Sequence, residues 1–157
     1  MGRSLYIFAG LIGAGLFLRA RSARAASRPG AGAGQLRRTF DDVFRRECTT
    51  GIPIEYLRTV TKHESDFRPD AATGAARGLM QITPVALRDF NERQGSTVTS
   101  SDLLDPSINV RIGCDLLNRI VASYARNHPR SLATDWSSRR FAELVYLGWN
   151  AGFAESG

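Results

Sequence analysis

Glu64 is the residue of this chain whose position most needs a chemical reason. In and before the stretch "TKHESDF" (61–67), Ile54, Leu57, Val60 and Glu64 follow one another at offsets of three, three and four. That spacing puts the carboxylate on the stripe a helix turns towards a core. Desolvation there disfavours the charged form, and so does the negative end of the helix dipole. A carboxyl so placed is expected to keep its proton closer to neutral pH, as a general acid for a poor leaving group requires. The plainer alternative is a carboxylate tied to a nearby Arg or backbone amide.

Other chemistries find less support in the residues. "HE" at 63–64 could begin H-E-x-x-H, but the position four after His63 is Phe67, and the only other histidine is His128. That argues against a zinc site, and His63 reads as a surface or groove-edge residue. Cys48 and Cys114 are too few and too far apart for a zinc framework, so no metal and no cofactor is expected. Both cysteines fall on apolar helical faces. Two buried free thiols are the simpler reading, and a disulfide between the two helices is the alternative if the domain reaches an oxidising compartment. There is no G-x-S-x-G elbow, phosphate loop or Cys/His pairing to suggest nucleophilic catalysis.

Charge excludes a further class. Of the 21 basic residues, Arg3, Arg19, Arg21, Arg24 and Arg28 lie in the first 28 residues, so the rest nearly balance the 15 acids downstream. No basic stripe with interleaved aromatics appears, and no nucleic-acid partner is expected.

The elements that must position Glu64 follow from punctuation and period. Residues 1–26 combine a basic start, an apolar run from Leu5 to Leu18 and small residues mixed with Arg, which reads as a signal peptide or membrane anchor. The run makes roughly 21 Å of helix against a hydrocarbon core of about 30 Å, so a signal-peptide core fits better than a full span. Ala23-Arg24-Ala25 suits a cleavage site, whereas the arginines after the run favour keeping that side in the cytoplasm. The expected location is the periplasm or cell envelope, with inner-membrane anchoring as the variant. Residues 27–34 read as a Gly/Ala-rich linker and 35–157 as one folded domain.

Within that domain the spacing predicts helices over about 35–48, 53–65, 84–93, 106–126 and 138–149. Thr83-Pro84, Asp105-Pro106 and Ser137 or Ser138 supply start signals. The loop "DFRPDAATGAARG" is long enough to be functional, and a minor hairpin is expected around 74–83. The fold class is mainly α.

Four blocks then appear in order: Glu64-Ser65, "GLMQITP" (78–84), "LLDPSINVRIGCDLL" (103–117) and "WNAG" (149–152). Together they resemble the catalytic domain of lytic transglycosylases of the soluble, lysozyme-like (SLT) type, over about Thr49 to Gly152. The resemblance implies a lysozyme-like domain whose cleft binds the glycan strands of peptidoglycan. It implies cleavage of the β-1,4 bond between N-acetylmuramic acid and N-acetylglucosamine, with 1,6-anhydromuramoyl ends. Glu64 is then the acid/base and Ser65 its orienting partner. Gly78, Leu79, Met80 and Gln81 form cleft wall, with Met80 on a sugar face and the Gln81 amide towards acetamido groups. Asn150 closes the other side.

Two departures stand out. Where the family usually has Tyr before N-A-G, this chain has Trp149, which lacks the hydroxyl, with Tyr146 one turn earlier as a candidate substitute. The chain stops five residues after Gly152, which is expected to leave the cleft less covered. Two rival functions follow: a muramidase-type hydrolase using Asp66, Asp70 or Asp102 to activate water, and a non-catalytic glycan-binding module. The setting implied is wall turnover, or local wall opening for a secretion, conjugation or phage envelope-penetration apparatus.

Overall fold

The structure, a computed structural model, describes residues 32–127 and 134–151, with side chains from residue 40 onward. The segment 1–26, the start of the linker, His128 and Gly152 lie outside the described residues.

Five α-helices carry the described chain: α1 (Gly32–Glu47), α2 (Ile54–Ser65), α3 (Pro84–Gln94), α4 (Pro106–Asn127) and α5 (Arg139–Asn150). Only α1 departs from its expected bounds by more than one residue, starting at Gly32 inside the stretch read as linker. The start signals act as their chemistry requires. The Thr83 side chain accepts from the Ala86 N–H at 3.3 Å, and Ser138 accepts from Phe141 N–H at 3.4 Å. Asp105 accepts from the N–H groups of Ser107 (2.7 Å) and Ile108 (3.1 Å). Each such cap is worth about 1 kcal/mol.

The longest helix, α4, forms the post on which the others pack. It buries Val110, Ile112, Cys114, Leu117 and Ile120. Against it stand Phe40, Phe44 and Cys48 of α1 and Phe141 and Val145 of α5. Arg58 of α2 reaches back to Asp41 of α1 with two hydrogen bonds, 2.9 and 2.5 Å, so α2 is fixed to α1 by charge as well as by Leu57 and Val60.

The two cysteines do face the core, but as a disulfide, which corrects the free-thiol reading. The end of α1 meets the middle of α4 with 5.6 Å between the Cα atoms of Cys48 and Cys114, within the range a disulfide spans. Closing a loop across a sequence separation of 66 removes unfolded-chain entropy worth about 4 kcal/mol in the loop-closure model. Beside it Glu47 takes hydrogen bonds from Arg46 (2.9 Å) and Arg111 (3.1 Å).

The only sheet among the described residues is a hairpin of β1 (Ala72–Thr73) and β2 (Ala76–Arg77), paired Ala72 to Arg77 and Thr73 to Ala76. It sits slightly ahead of its expected place, because Gly74, at φ +59°, makes the turn. A single further bridge joins Arg77 to Ile82 and turns "GLMQ" back onto the hairpin. No helix among the described residues is long and apolar enough to cross a membrane.

Candidate active site

Glu64 occupies the last turn of α2, half-buried, on the side facing α5. Its carboxylate Oε1 accepts a hydrogen bond from the indole Nε1–H of Trp149 at 3.1 Å. Residues 85 apart in sequence are thus joined across the α2–α5 seam. Trp149 lacks a hydroxyl, yet it supplies the donor through its indole nitrogen. Tyr146, the expected substitute, lies beside His63 with ring centroids 5.8 Å apart.

The chain bends sharply after the glutamate. Asp66 and Phe67 both adopt left-handed conformations, φ +55° and +59°. For Asp66 that is a common helix stop, and its backbone N–H closes on the Lys62 carbonyl at 3.2 Å. For a residue as bulky as Phe67 the conformation costs about 1 kcal/mol, which burial of the ring beside Phe40, centroids 6.3 Å apart, offsets. Ser65 is buried, and its hydroxyl donates to the Thr61 carbonyl at 3.2 Å, a bond within the helix.

The "GLMQ" turn packs differently from its expected role as sugar-facing wall. Leu79 and Met80 are both 0% exposed, and Met80 lies against Gly113, where a β-carbon would meet its sulfur at 2.4 Å. The Met80 side chain is therefore core filling between the turn and α4, not a sugar platform. The Gln81 amide nitrogen donates to the carbonyls of Ala71 (3.1 Å) and Gly78 (2.9 Å), so it braces the turn instead of offering itself to acetamido groups. Gln81 sits at φ +49°, and its buried Oε1 has no partner. Gly78 is required twice over. Its φ is +78°, and a β-carbon would fall 2.1 Å from Asn109 Nδ2 and 2.2 Å from the Leu103 carbonyl.

Asn109, on α4, is the residue that sequence reasoning missed. Fully buried, it accepts the Met80 N–H on Oδ1 at 2.7 Å and donates from Nδ2 to the carbonyls of Arg77 and Leu103, both at 2.9 Å. One side chain thus fastens hairpin, turn and the 3-10 segment Asp102–Leu104 to the central helix. The available signal was an Asn one turn into an otherwise apolar helix face, four before Gly113. Tyr56 was missed as well. Two turns before Glu64, it packs at a tilt of 55° against Trp136, centroids 4.6 Å apart, and Trp136 meets Phe141 edge-on at 5.0 Å. Burial first, with the neighbouring phenols of Tyr146 and Tyr124, raises the Tyr56 pKa, and its buried hydroxyl has no partner.

The remaining candidates are placed as follows. Asn150 is exposed, and its amide donates to the Tyr146 carbonyl at 3.1 Å. Asp66 is exposed and paired with Lys62, while Asp70 is exposed on the loop. Asp102 caps the 3-10 segment by accepting from Thr99 N–H (2.8 Å) and Thr99 hydroxyl (2.6 Å), contacts that hold its pKa below the usual carboxylate range. A cleft of about 250 Å³ is lined by Arg58, Thr59, Lys62, His63 and Phe67, centred on the face of α2 turned away from Glu64. Among the described residues no group of three or more His, Cys, Asp or Glu side chains could hold a metal ion.

A half-buried carboxyl, one oxygen held by a donor and set beside a strained bend, is equipped for proton transfer. Residues 41–155 match the family model described as the transglycosylase SLT domain. No solved structure matches the chain.

Proposed function

Because the chain belongs to the transglycosylase SLT family, whose domains cleave glycosidic bonds in peptidoglycan, we propose that it is a lytic transglycosylase with Glu64 as its single acid/base. In the first step protonated Glu64 gives its proton to the oxygen between N-acetylmuramic acid and N-acetylglucosamine as the C1–O bond breaks. The 2-acetamido group of the muramoyl residue supports the oxocarbenium-like centre, so no second carboxylate of the protein is needed. In the second step the glutamate takes the proton of the muramoyl 6-hydroxyl while O6 bonds to C1. The product is a 1,6-anhydromuramoyl end, no water is consumed, and Glu64 ends as it began.

The observation that carries this reading is the Trp149–Glu64 hydrogen bond, which brings the "WNAG" block to the glutamate. Of the carboxylates the hydrolase reading calls on, Asp102 is engaged with Thr99 and Asp66 with Lys62, while Asp70 stands exposed on the loop. The disulfide favours an oxidising compartment and so supports export through residues 1–26, with an envelope location and wall turnover or local wall opening as the role. Mass spectrometry of digested sacculi tests the reaction: anhydro ends are expected, and reducing ends in their place overturn it. E64Q is expected to abolish lysis while leaving sacculus binding intact, and equal lysis by E64Q and parent removes Glu64 from the mechanism.

A further inference from the structure

The cleft on the outer face of α2 stands apart from the candidate active site. Leu57, Val60 and Glu64 share the stripe of α2 that is turned inward, whereas Arg58, Thr59, Lys62 and His63 line the other side of the same helix, with Phe67 just beyond its end. Whatever the cleft holds is therefore not the ring beside the glutamate.

Its chemistry suits a neutral polar ring. Arg58 is engaged by Asp41 at 2.9 and 2.5 Å and lies 3.6 Å from Glu55, and Lys62 is paired with Asp66. Two cations thus meet three carboxylates, which leaves no net positive charge to attract an anion. Hydrogen bonding remains. The Thr59 hydroxyl gives its proton to the Glu55 carbonyl at 2.8 Å and keeps its oxygen as an acceptor, and the Lys62 ammonium has donors beyond the one that Asp66 takes. His63 is exposed, and neither of its ring nitrogens has a partner among the described residues. The flat rings of His63 and Phe67 stand among these groups, and a sugar ring presents their complement, C–H faces edged by hydroxyls. At about 250 Å³ the cleft is smaller than the roughly 300–1,000 Å³ of sites that enclose a drug-sized ligand, so it takes one ring and not a strand.

The backbone that closes the cleft is strained. Asp66 and Phe67, in consecutive left-handed conformations, turn the chain so that Phe67 lines it. Such outliers persist only where the surroundings hold them, and they cluster at sites that grip a ligand.

We propose that this cleft is a second saccharide subsite, which takes one N-acetylglucosamine ring, the uncharged sugar of the polymer, from a strand next to the one being cut. Held there, the domain stays on the wall between cleavages. The proposal rests on peptidoglycan as the substrate and not on the role of Glu64.

Binding is measured in the E64Q background of the full chain, so that nothing is cut, by titration with glycan strands stripped of their stem peptides. T59W fills the cleft from an exposed position, and H63A removes one of its rings. Each is expected to weaken binding about fivefold, the scale of one or two lost hydrogen bonds, with an unfolding midpoint near that of E64Q. Strand binding unchanged in both variants overturns the subsite, and so does cleft-dependent binding of free stem peptides in place of the strands. With Glu64 restored, T59W is expected to cut a soluble tetrasaccharide of the polymer within about twofold of the parent rate while clearing sacculi about fivefold more slowly, because only the sacculus engages both sites. Equal losses on the two substrates make the cleft part of the catalytic groove and overturn the proposal. Strand binding that depends on Thr59 and His63, in a protein releasing no anhydro ends, leaves the subsite standing and overturns the transglycosylase reading instead.

Discussion

Asn109 occupies the space that a β-carbon on Gly78 would need, with its Nδ2 2.1 Å from that position. The amide takes the side chain's place, and with it three backbone groups from separate segments find partners. The "GLMQ" turn is therefore held by a contact from α4, not by its own residues alone.

Replacing either partner exposes this dependence. N109A takes the partner from the buried Met80 N–H and from the Leu103 carbonyl, while the Arg77 carbonyl keeps the Ile82 N–H, and is expected to cost about 2–3 kcal/mol. G78A adds a left-handed alanine to a direct clash and is expected to cost at least as much. Urea unfolding measures both, and a midpoint unchanged in N109A would contradict the assigned role.

Reduction of the disulfide tests the link between α1 and α4. Treatment with a thiol reductant, or paired substitution C48S with C114S, is expected to lower the unfolding free energy by about 3–4 kcal/mol. The measurement is the urea midpoint of oxidised against reduced protein.

Acid should weaken the fold in a defined window. Burial alone would raise the Glu47 carboxyl, but hydrogen bonds and charges of Arg46 and Arg111 together outweigh it and hold the group below the usual range. Asp89 is held low in the same way by Arg93 and Arg119. A carboxyl depressed in the folded state contributes stability that is present above its unfolded value, about 4, and lost as pH falls through the folded value. Stability is expected to stay level from about pH 7 to 5 and to drop below about 4, with a shallower drop in E47Q, as read from urea midpoints across that range.

Tyr56 offers the opposite sign. Its hydroxyl is buried without a partner, so Y56F removes a desolvated polar atom and keeps the ring on Trp136. The expected result is unchanged or slightly increased stability, by up to about 1 kcal/mol, in thermal unfolding.

E64Q completes the set, with lysis lost and sacculus binding kept, as read from turbidity loss and from co-sedimentation with sacculi.

The helices were legible because their signals are local: Thr83-Pro84, Asp105-Pro106 and Ser138 mark starts, and the apolar period marks the inward faces. Glu64 was legible for the same reason, as an acid on an apolar stripe. Contacts between distant segments were not. Sequence does not say which side of the "GLMQ" turn faces the core, and Met80 and Gln81 face inward because α4 offers Gly113 as space and Ala71 and Gly78, on either side of the hairpin, offer carbonyls. Nor does it reveal that an indole from α5 reaches the glutamate, since that depends on how Gly148 seats one helix on another.

The bridge between Cys48 and Cys114 also sets how the described domain bears a mechanical load. Tension applied through the start of α1 passes across a covalent bond into the middle of the central helix, so α1 cannot be peeled away from its carboxyl end. Because Arg58 of α2 is bonded to Asp41 of α1, part of any load on α1 is handed to the helix that carries Glu64 before it reaches the bridge.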